Sequence, residues 1–131
     1  MAPRSRSPIT EITFTLATEF VKLARPDGRV VCERCLLATR PLQRMRGLLG
    51  RRQLPEGEGI LLRPAGSVHT FFMRFPIDAV FLDREQVVLR VEPDVRPWRA
   101  VGQRRAHAVL ELPAGEAERR GVEVGQKLVA A

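Results

Sequence analysis

The stretch VHTFFMRFPIDAVFLDREQVVLRV, residues 68–91, decides the fold class. Its first part, Val68 to Phe75, is dense in aromatic residues, which suit a pleated, half-buried surface and mark a strand. Pro76 interrupts the run, since it has no N–H to give to a ladder, and Ile77 to Leu82 resumes it. Asp83-Arg84-Glu85-Gln86 is a polar turn, and Val87 to Val91 returns as the second arm of a hairpin.

Working towards the N-terminus, residues 9–23 carry Ile12, Phe14, Leu16, Phe20, Val21 and Leu23 in near-alternation, another strand signal. Pro26-Asp27-Gly28 is turn chemistry, and Val30 runs back through Cys32 towards Leu37, predicting a hairpin. Thr39 is a candidate N-cap with Pro41 in the first turn, and Leu42, Met45, Leu48 and Leu49 follow at helical spacing. Residues 55–59 read as a loop and Ile60 to Leu62 as a short buried strand. Towards the C-terminus, Pro93 and Pro97 break the chain into a loop, and Ala106 to Leu112 reads as a strand. Pro113 to Arg120 reads as a short helix, acidic early and basic late, which Gly121 ends; Lys127 to Ala130 is a last strand. The class is therefore α+β and β-rich, expected as a compact curved antiparallel sheet or small barrel with two short flanking helices. Too few strand–helix–strand units exist for a doubly wound sheet. Residues 1–8 read as a flexible tail and 9–131 as a single domain.

Composition narrows the classes. The chain has 131 residues, 44% of them hydrophobic, which fits one globular core. No run approaches the eighteen or more apolar residues of a membrane helix, and no signal-peptide core follows Arg4 and Arg6. The reading is a cytoplasmic protein without a membrane partner, its two cysteines reduced. The formal charge of +7 invites a nucleic-acid partner. Only two of the 22 basic residues are Lys (Lys22 and Lys127), and a bias towards Arg can simply reflect a GC-rich genome. Stacking aromatics are scarce, with one Trp and no Tyr. Arg40, Arg44, Arg46, Arg51, Arg52, Arg96, Arg99, Arg104 and Arg105 could gather into one patch around Trp98, although long Arg stems also cover apolar surface with no ligand at all.

Five ordered blocks resemble one known family. They are Arg46-Gly47-Leu48-Leu49-Gly50-Arg51, Gly59-Ile60-Leu61-Leu62, the run from His69 to Asp83, Val109-Leu110-Glu111-Leu112-Pro113-Ala114-Gly115, and Gly121-Val122-Glu123-Val124-Gly125-Gln126. Together, over about residues 35–129, they resemble the bacterial and archaeal family called domain of unknown function 192. Phe72 stands where that family often has Trp, and Gln126 where it often has Asp, which removes a carboxylate from that turn. The resemblance implies a compact β-rich fold and supplies no activity.

His69, Thr70, Phe72, Met73, Arg74 and Asp78 form the candidate ligand-binding set. Strand alternation would put His69, Phe71, Met73 and Phe75 on one face and Val68, Thr70, Phe72 and Arg74 on the other. A charge among so many rings must be solvated or paired, and Asp78 is the expected partner of Arg74. Either this is a buried ion pair holding the Pro76 bend, or the block lines a pocket for a small polar or anionic ligand or a peptide. In the pocket reading His69 and Thr70 sit at an open rim. Cys32-Glu33-Arg34-Cys35 is a lone CxxC, read mainly as two ordinary thiols, with no cofactor. A zinc site completed by His69 and His107 or by a second chain, and a redox dithiol, are the lesser alternatives. No catalytic residue is assigned: phosphate loops, HExxH and GxSxG are all absent. The leading reading is a non-catalytic binding or accessory module, monomeric or homodimeric. A nucleic-acid-binding accessory protein using the Arg clusters comes second, and a small hydrolase-like enzyme using His69 and Asp78 third.

Overall fold

Alternation along the central strands sends apolar side chains to both faces of one sheet. In the computed structural model, which describes residues 19–40, 48 and 50–131, Ile60 and Leu62 lie in one buried cluster and Leu61 in the other. Ile77, Ala79 and Phe81 likewise oppose Val80 and Leu82, and Val109 opposes Leu110 and Leu112. Strands buried on both faces read as continuous apolar runs, which is why these segments were visible in the sequence.

The described strands are β1 (Phe20–Ala24), β2 (Val30–Ala38), β3 (Glu58–Leu62), β4 (Ser67–His69), β5 (Ile77–Leu82), β6 (Val88–Val95), β7 (Ala100–Gly102), β8 (Ala108–Pro113) and β9 (Val129–Ala130), with helix α1 (Glu116–Arg119) between the last two. Seven strands form one sheet in the order β6-β5-β8-β3-β2-β1-β9, and β4 pairs with β7 in a separate ribbon. The expected hairpins β1–β2 and β5–β6 are present and antiparallel. Asp83 Oδ1 closes the second one by accepting from the N–H groups of Glu85 and Val87 at 2.8 and 3.0 Å.

The β-rich reading holds, and its detail is corrected where the described residues reach. The sheet is mixed, because β2 and β3 pair in parallel, and it is not closed into a barrel. The first expected helix, from Thr39 onward, lies mostly outside the described residues, as do the tail and residues 9–18. The second is a single turn, Glu116–Arg119. Finally, β6 continues through Pro93, which is tolerated because β6 is an edge strand and Pro93 lies in the register slip between the Ile77–Val95 and Ala79–Glu92 pairs.

Two acids on these central strands meet opposite fates. Asp78, buried on β5, accepts the Asp94 N–H on Oδ1 at 2.9 Å and those of Gly115 and Ala117 on Oδ2 at 3.0 and 2.9 Å. Gly115, the N-cap of α1, has no side chain with which to satisfy the first turn, so a carboxylate from the neighbouring strand does so. The expected pairing of Asp78 with Arg74 is thereby overturned: Arg74 is exposed, and backbone groups fill the carboxylate. Glu111 on β8 is buried between Ile60 and Ala79 in register. Its Oε1 has no hydrogen-bond partner among the described residues, and burial pushes its pKa up to about 8.

Two stability predictions result. Asp78→Ala strands three N–H donors and should cost about 3 kcal/mol or more in urea unfolding, whereas Arg74→Ala should stay within about 0.5 kcal/mol of wild type. For Glu111, the unfolded chain ionises near 4.5 while the folded protein keeps its proton to about 8. This group therefore lowers stability as pH rises between those values, by on the order of a few kcal/mol in total. Glu111→Gln should be more stable than wild type at pH 8 and lose that advantage at pH 5; a pH-independent difference would contradict the assignment.

Candidate functional site

Thr70 is the joint from which the candidate site is built. It follows the last residue of β4 and is buried. Its N–H donates to Arg99 O at 2.8 Å, and its hydroxyl donates to Arg96 O at 2.6 Å while accepting the Arg99 N–H at 2.9 Å. Its carbonyl accepts from Met73 N–H at 3.1 Å and Trp98 N–H at 3.0 Å. One residue thus pins the turn 70–73 and the loop 96–99 to each other. The first bond closes the turn and ends the strand at His69, so the expected strand Val68 to Phe75, with its two side-chain faces, does not form.

The consequence is an exposed aromatic cluster. Met73 is buried and anchors the turn in the apolar cluster around Ile77 and Val68. Phe71, Phe72 and Trp98 instead face solvent, at 39, 71 and 56% relative exposure. The His69 ring stacks on Phe71 with centroids 5.2 Å apart, Phe71 on Trp98 at 5.9 Å, and Phe72 tilts against Trp98 at 4.7 Å. Phe72 and Trp98 both hold left-handed backbone, φ 68° and 67°, which is uncommon for bulky residues and costs each on the order of 1–2 kcal/mol. Exposed arginines flank the rings. Arg74 follows the turn, Arg96 pairs with Asp94 at 3.3 Å, and Arg99 Nη1 donates to Trp98 O at 3.4 Å.

Of the expected ligand-binding residues, His69, Phe72 and Arg74 lie on this surface. Thr70 and Met73 lie beneath it as supports, so Thr70 is not a rim residue. Asp78 belongs to the α1 joint, and no described contact joins it to His69, the arrangement a hydrolytic pair would need. The residues undervalued in the sequence are Phe71 and Trp98. Trp98 was already visible as the chain's sole Trp set among arginines, but its nearness to the 69–74 block depends on the Thr70 joint.

The remaining clusters assemble less. Cys32 and Cys35 point into one core because the β1–β2 register slips: Val21 faces Cys35 and Leu23 faces Cys32, so three residues of β2 match two of β1. A hydrogen bond from Cys35 lowers the Cys32 pKa, and the same bond together with burial raises that of Cys35. His69 is exposed at the aromatic cluster, and no three His, Cys, Asp or Glu side chains among the described residues are placed to share a metal. The zinc set Cys32, Cys35, His69 and His107 is thus not brought together within the chain. Of the arginines expected around Trp98, Arg51 pairs with Glu58 at 3.4 Å, Arg44 and Arg46 lie outside the described residues, and Arg104 and Arg105 are exposed in the turn after β7. Among the described residues no helix is long and apolar enough to cross a membrane.

Comparison with known proteins agrees with this fold. A model of the family described as DUF192, Uncharacterized ACR, matches residues 23–130. UPF0127 proteins of Pyrococcus abyssi and Pyrococcus furiosus are 43 and 41% identical over 63 residues, 47% of this chain. The match spans about half the length of those relatives, 53% of each. A UPF0127 protein of Thermococcus sibiricus is 30% identical over 79% of this chain and 70% of its own. Two crystal structures share the architecture. One, from Sinorhizobium meliloti and provisionally described as a transcription regulator, has a TM-score of 0.76 at 28% identity, covering 88% of this chain and 95% of that one. The other, a Novosphingobium aromaticivorans protein of unknown function, has a TM-score of 0.75 at 22% identity, covering 98 and 93%, and shows the fold alone.

The Thr70 joint makes its own prediction. Thr70→Val keeps the shape but strands the Arg99 N–H and Arg96 carbonyl, which should cost about 1–3 kcal/mol, whereas Thr70→Ser should restore most of that. Thermal unfolding measures the cost, and Trp98 emission should shift in Thr70→Val even at temperatures where the protein stays folded.

Proposed function

The chain belongs to that family, DUF192, and within it we propose that this protein is a non-catalytic binding module whose recognition surface is the aromatic cluster His69, Phe71, Phe72 and Trp98 with its arginine rim. One observation carries the reading. Phe72 and Trp98 are more exposed than Phe71, and both occupy left-handed backbone. A bulky residue in that conformation costs free energy, and burial of its ring would ordinarily offset the cost. Here the rings are left in water, so the fold gains little from them, and a surface kept at such cost is accounted for by contact with a partner. Arg74, Arg96 and Arg99 make an anionic or acidic partner the complementary one. The provisional description of the Sinorhizobium structure as a transcription regulator is compatible with a binding role.

The test exploits glycine, which accepts positive φ without strain. Phe72→Gly removes the ring and relieves the backbone together. Its stability should stay within about 1 kcal/mol of wild type, and Phe72→Ala should be the less stable of the two. Trp98, the chain's one tryptophan, reports occupancy directly through its fluorescence. Across oligonucleotides, acidic peptides and small anions, at least one probe should change Trp98 emission in wild type and fail to do so in Phe72→Gly. A large stability loss in Phe72→Gly would make the cluster structural and sink the proposal.

A further inference from the structure

We propose that the partner of this surface is single-stranded nucleic acid, bound along the β4–β7 ribbon; this inference rests on the recognition surface argued above. The ribbon consists of three residue pairs, Ser67–Gly102, Val68–Val101 and His69–Ala100. Buried Val68 and half-buried Val101 fix it to the apolar cluster beneath. The aromatic cluster and Arg74, Arg96 and Arg99 lie at the His69–Ala100 end. At the Ser67–Gly102 end, Gln103, Arg104 and Arg105 line a polar groove, with both arginines exposed. At a rise of about 3.3 Å per residue the two ends are roughly 7–10 Å apart. Cations therefore flank a platform of rings along one short strip, in a chain of net charge +7.

The chemistry selects the polymer. Each unit of a single strand supplies both an anionic phosphate and a flat face, which a cluster of exposed rings with interleaved arginines matches. A duplex hides its base faces in the stack and offers only phosphates. An acidic peptide offers carboxylates, and flat faces only where it happens to carry aromatic residues. Because any base can stack, the expected binding is tolerant of sequence.

The experiment titrates the full chain with a labelled mixed-sequence DNA octanucleotide, following anisotropy and Trp98 fluorescence together. Wild type should bind, quench Trp98, and prefer the octanucleotide to the same sequence as a duplex. If about three phosphates are engaged, affinity should fall roughly twentyfold between 50 and 200 mM salt. Phe72→Gly should weaken binding about tenfold or more. Arg104→Glu with Arg105→Glu should weaken it too and flatten the salt dependence. A Glu-rich dodecapeptide carrying two Phe residues is titrated in parallel. If it alone quenches Trp98, and does so only with Phe72 present, the recognition surface stands and the nucleic-acid partner is wrong. If neither probe acts on Trp98 at 50 mM salt the nucleic-acid partner is wrong, and the recognition surface falls with it unless a small anion such as inorganic phosphate shifts Trp98 emission through Phe72. Octanucleotide binding that Phe72→Gly leaves unchanged overturns the stacking platform and leaves only diffuse charge attraction.

Discussion

A strand buried on both faces must settle every polar group it carries inside the protein, and β5 is such a strand. Its ladder groups pair with β6 on one side and β8 on the other. Its one charged side chain, Asp78, is answered by N–H groups from β6's end and from the start of α1. A short helix could hardly persist by itself, since a single turn fixes several residues for very few hydrogen bonds. Asp78 supplies what the Gly115 cap lacks, and the same turn holds β2 from its far end and the approach to β3 from its first residue. Arg120 donates to Glu33 at 3.0 and 3.1 Å and to Val30 O at 3.1 Å, and Glu116 Oε2 accepts the Gly57 N–H at 3.0 Å. The Arg120–Glu33 hydrogen bonds hold the Glu33 carboxyl below its ordinary pKa and raise the Arg120 guanidinium.

The same rule of internal settlement shapes the candidate site. The turn after β4 leaves the sheet, so its backbone cannot be satisfied by a ladder. Thr70 replaces the ladder with bonds to the loop 96–99, and Met73 sinks into the core as a counterweight. With the backbone held from below, the rings of Phe71, Phe72 and Trp98 take no part in the joint that their own backbone helps to build. Rigid support under an unburied surface is the arrangement that recognition requires, because little ordering remains to be done on binding.

How far the sequence could be read follows from what its patterns encode. Residues 77–82, 87–91 and 106–112 announce strands because burial on one or both faces selects apolar side chains there, and the β5–β6 turn announces itself through Asp83. Direction is not encoded: nothing in Ile60-Leu61-Leu62 distinguishes a parallel neighbour from an antiparallel one, so the β2–β3 pairing was invisible. The Val68 to Phe75 run misled because turn chemistry was sought in Gly and Pro, whereas here a Thr side chain and a left-handed Phe make the turn. Pro93 misled for the opposite reason, since its harmlessness depends on β6 lying at the sheet edge. In a regular strand Cys32 and Cys35, three positions apart, would face opposite sides, and the register slip against β1 brings both inward. His69, Phe72 and Arg74 were legible as site residues because polar and aromatic groups crowd together there; the contribution of Trp98, 26 positions after Phe72, was a matter of tertiary structure.

Asp78 and Phe72 show how burial separates two kinds of unusual residue. Asp78 is a charge in the core, but three backbone donors repay its desolvation, so it is explained once the fold is known. Phe72 is apolar, outside the core and strained; its left-handed backbone lets the 70–73 turn close through the bond from the Met73 N–H to Thr70 O, but its ring gains only the edge against Trp98. A ring pair contributes only about 0.5–1.5 kcal/mol, comparable to the cost of one left-handed residue and less than that of two. The rings themselves therefore contribute little to the fold that holds them, and it is their exposure, not their backbone, that the proposed binding role accounts for.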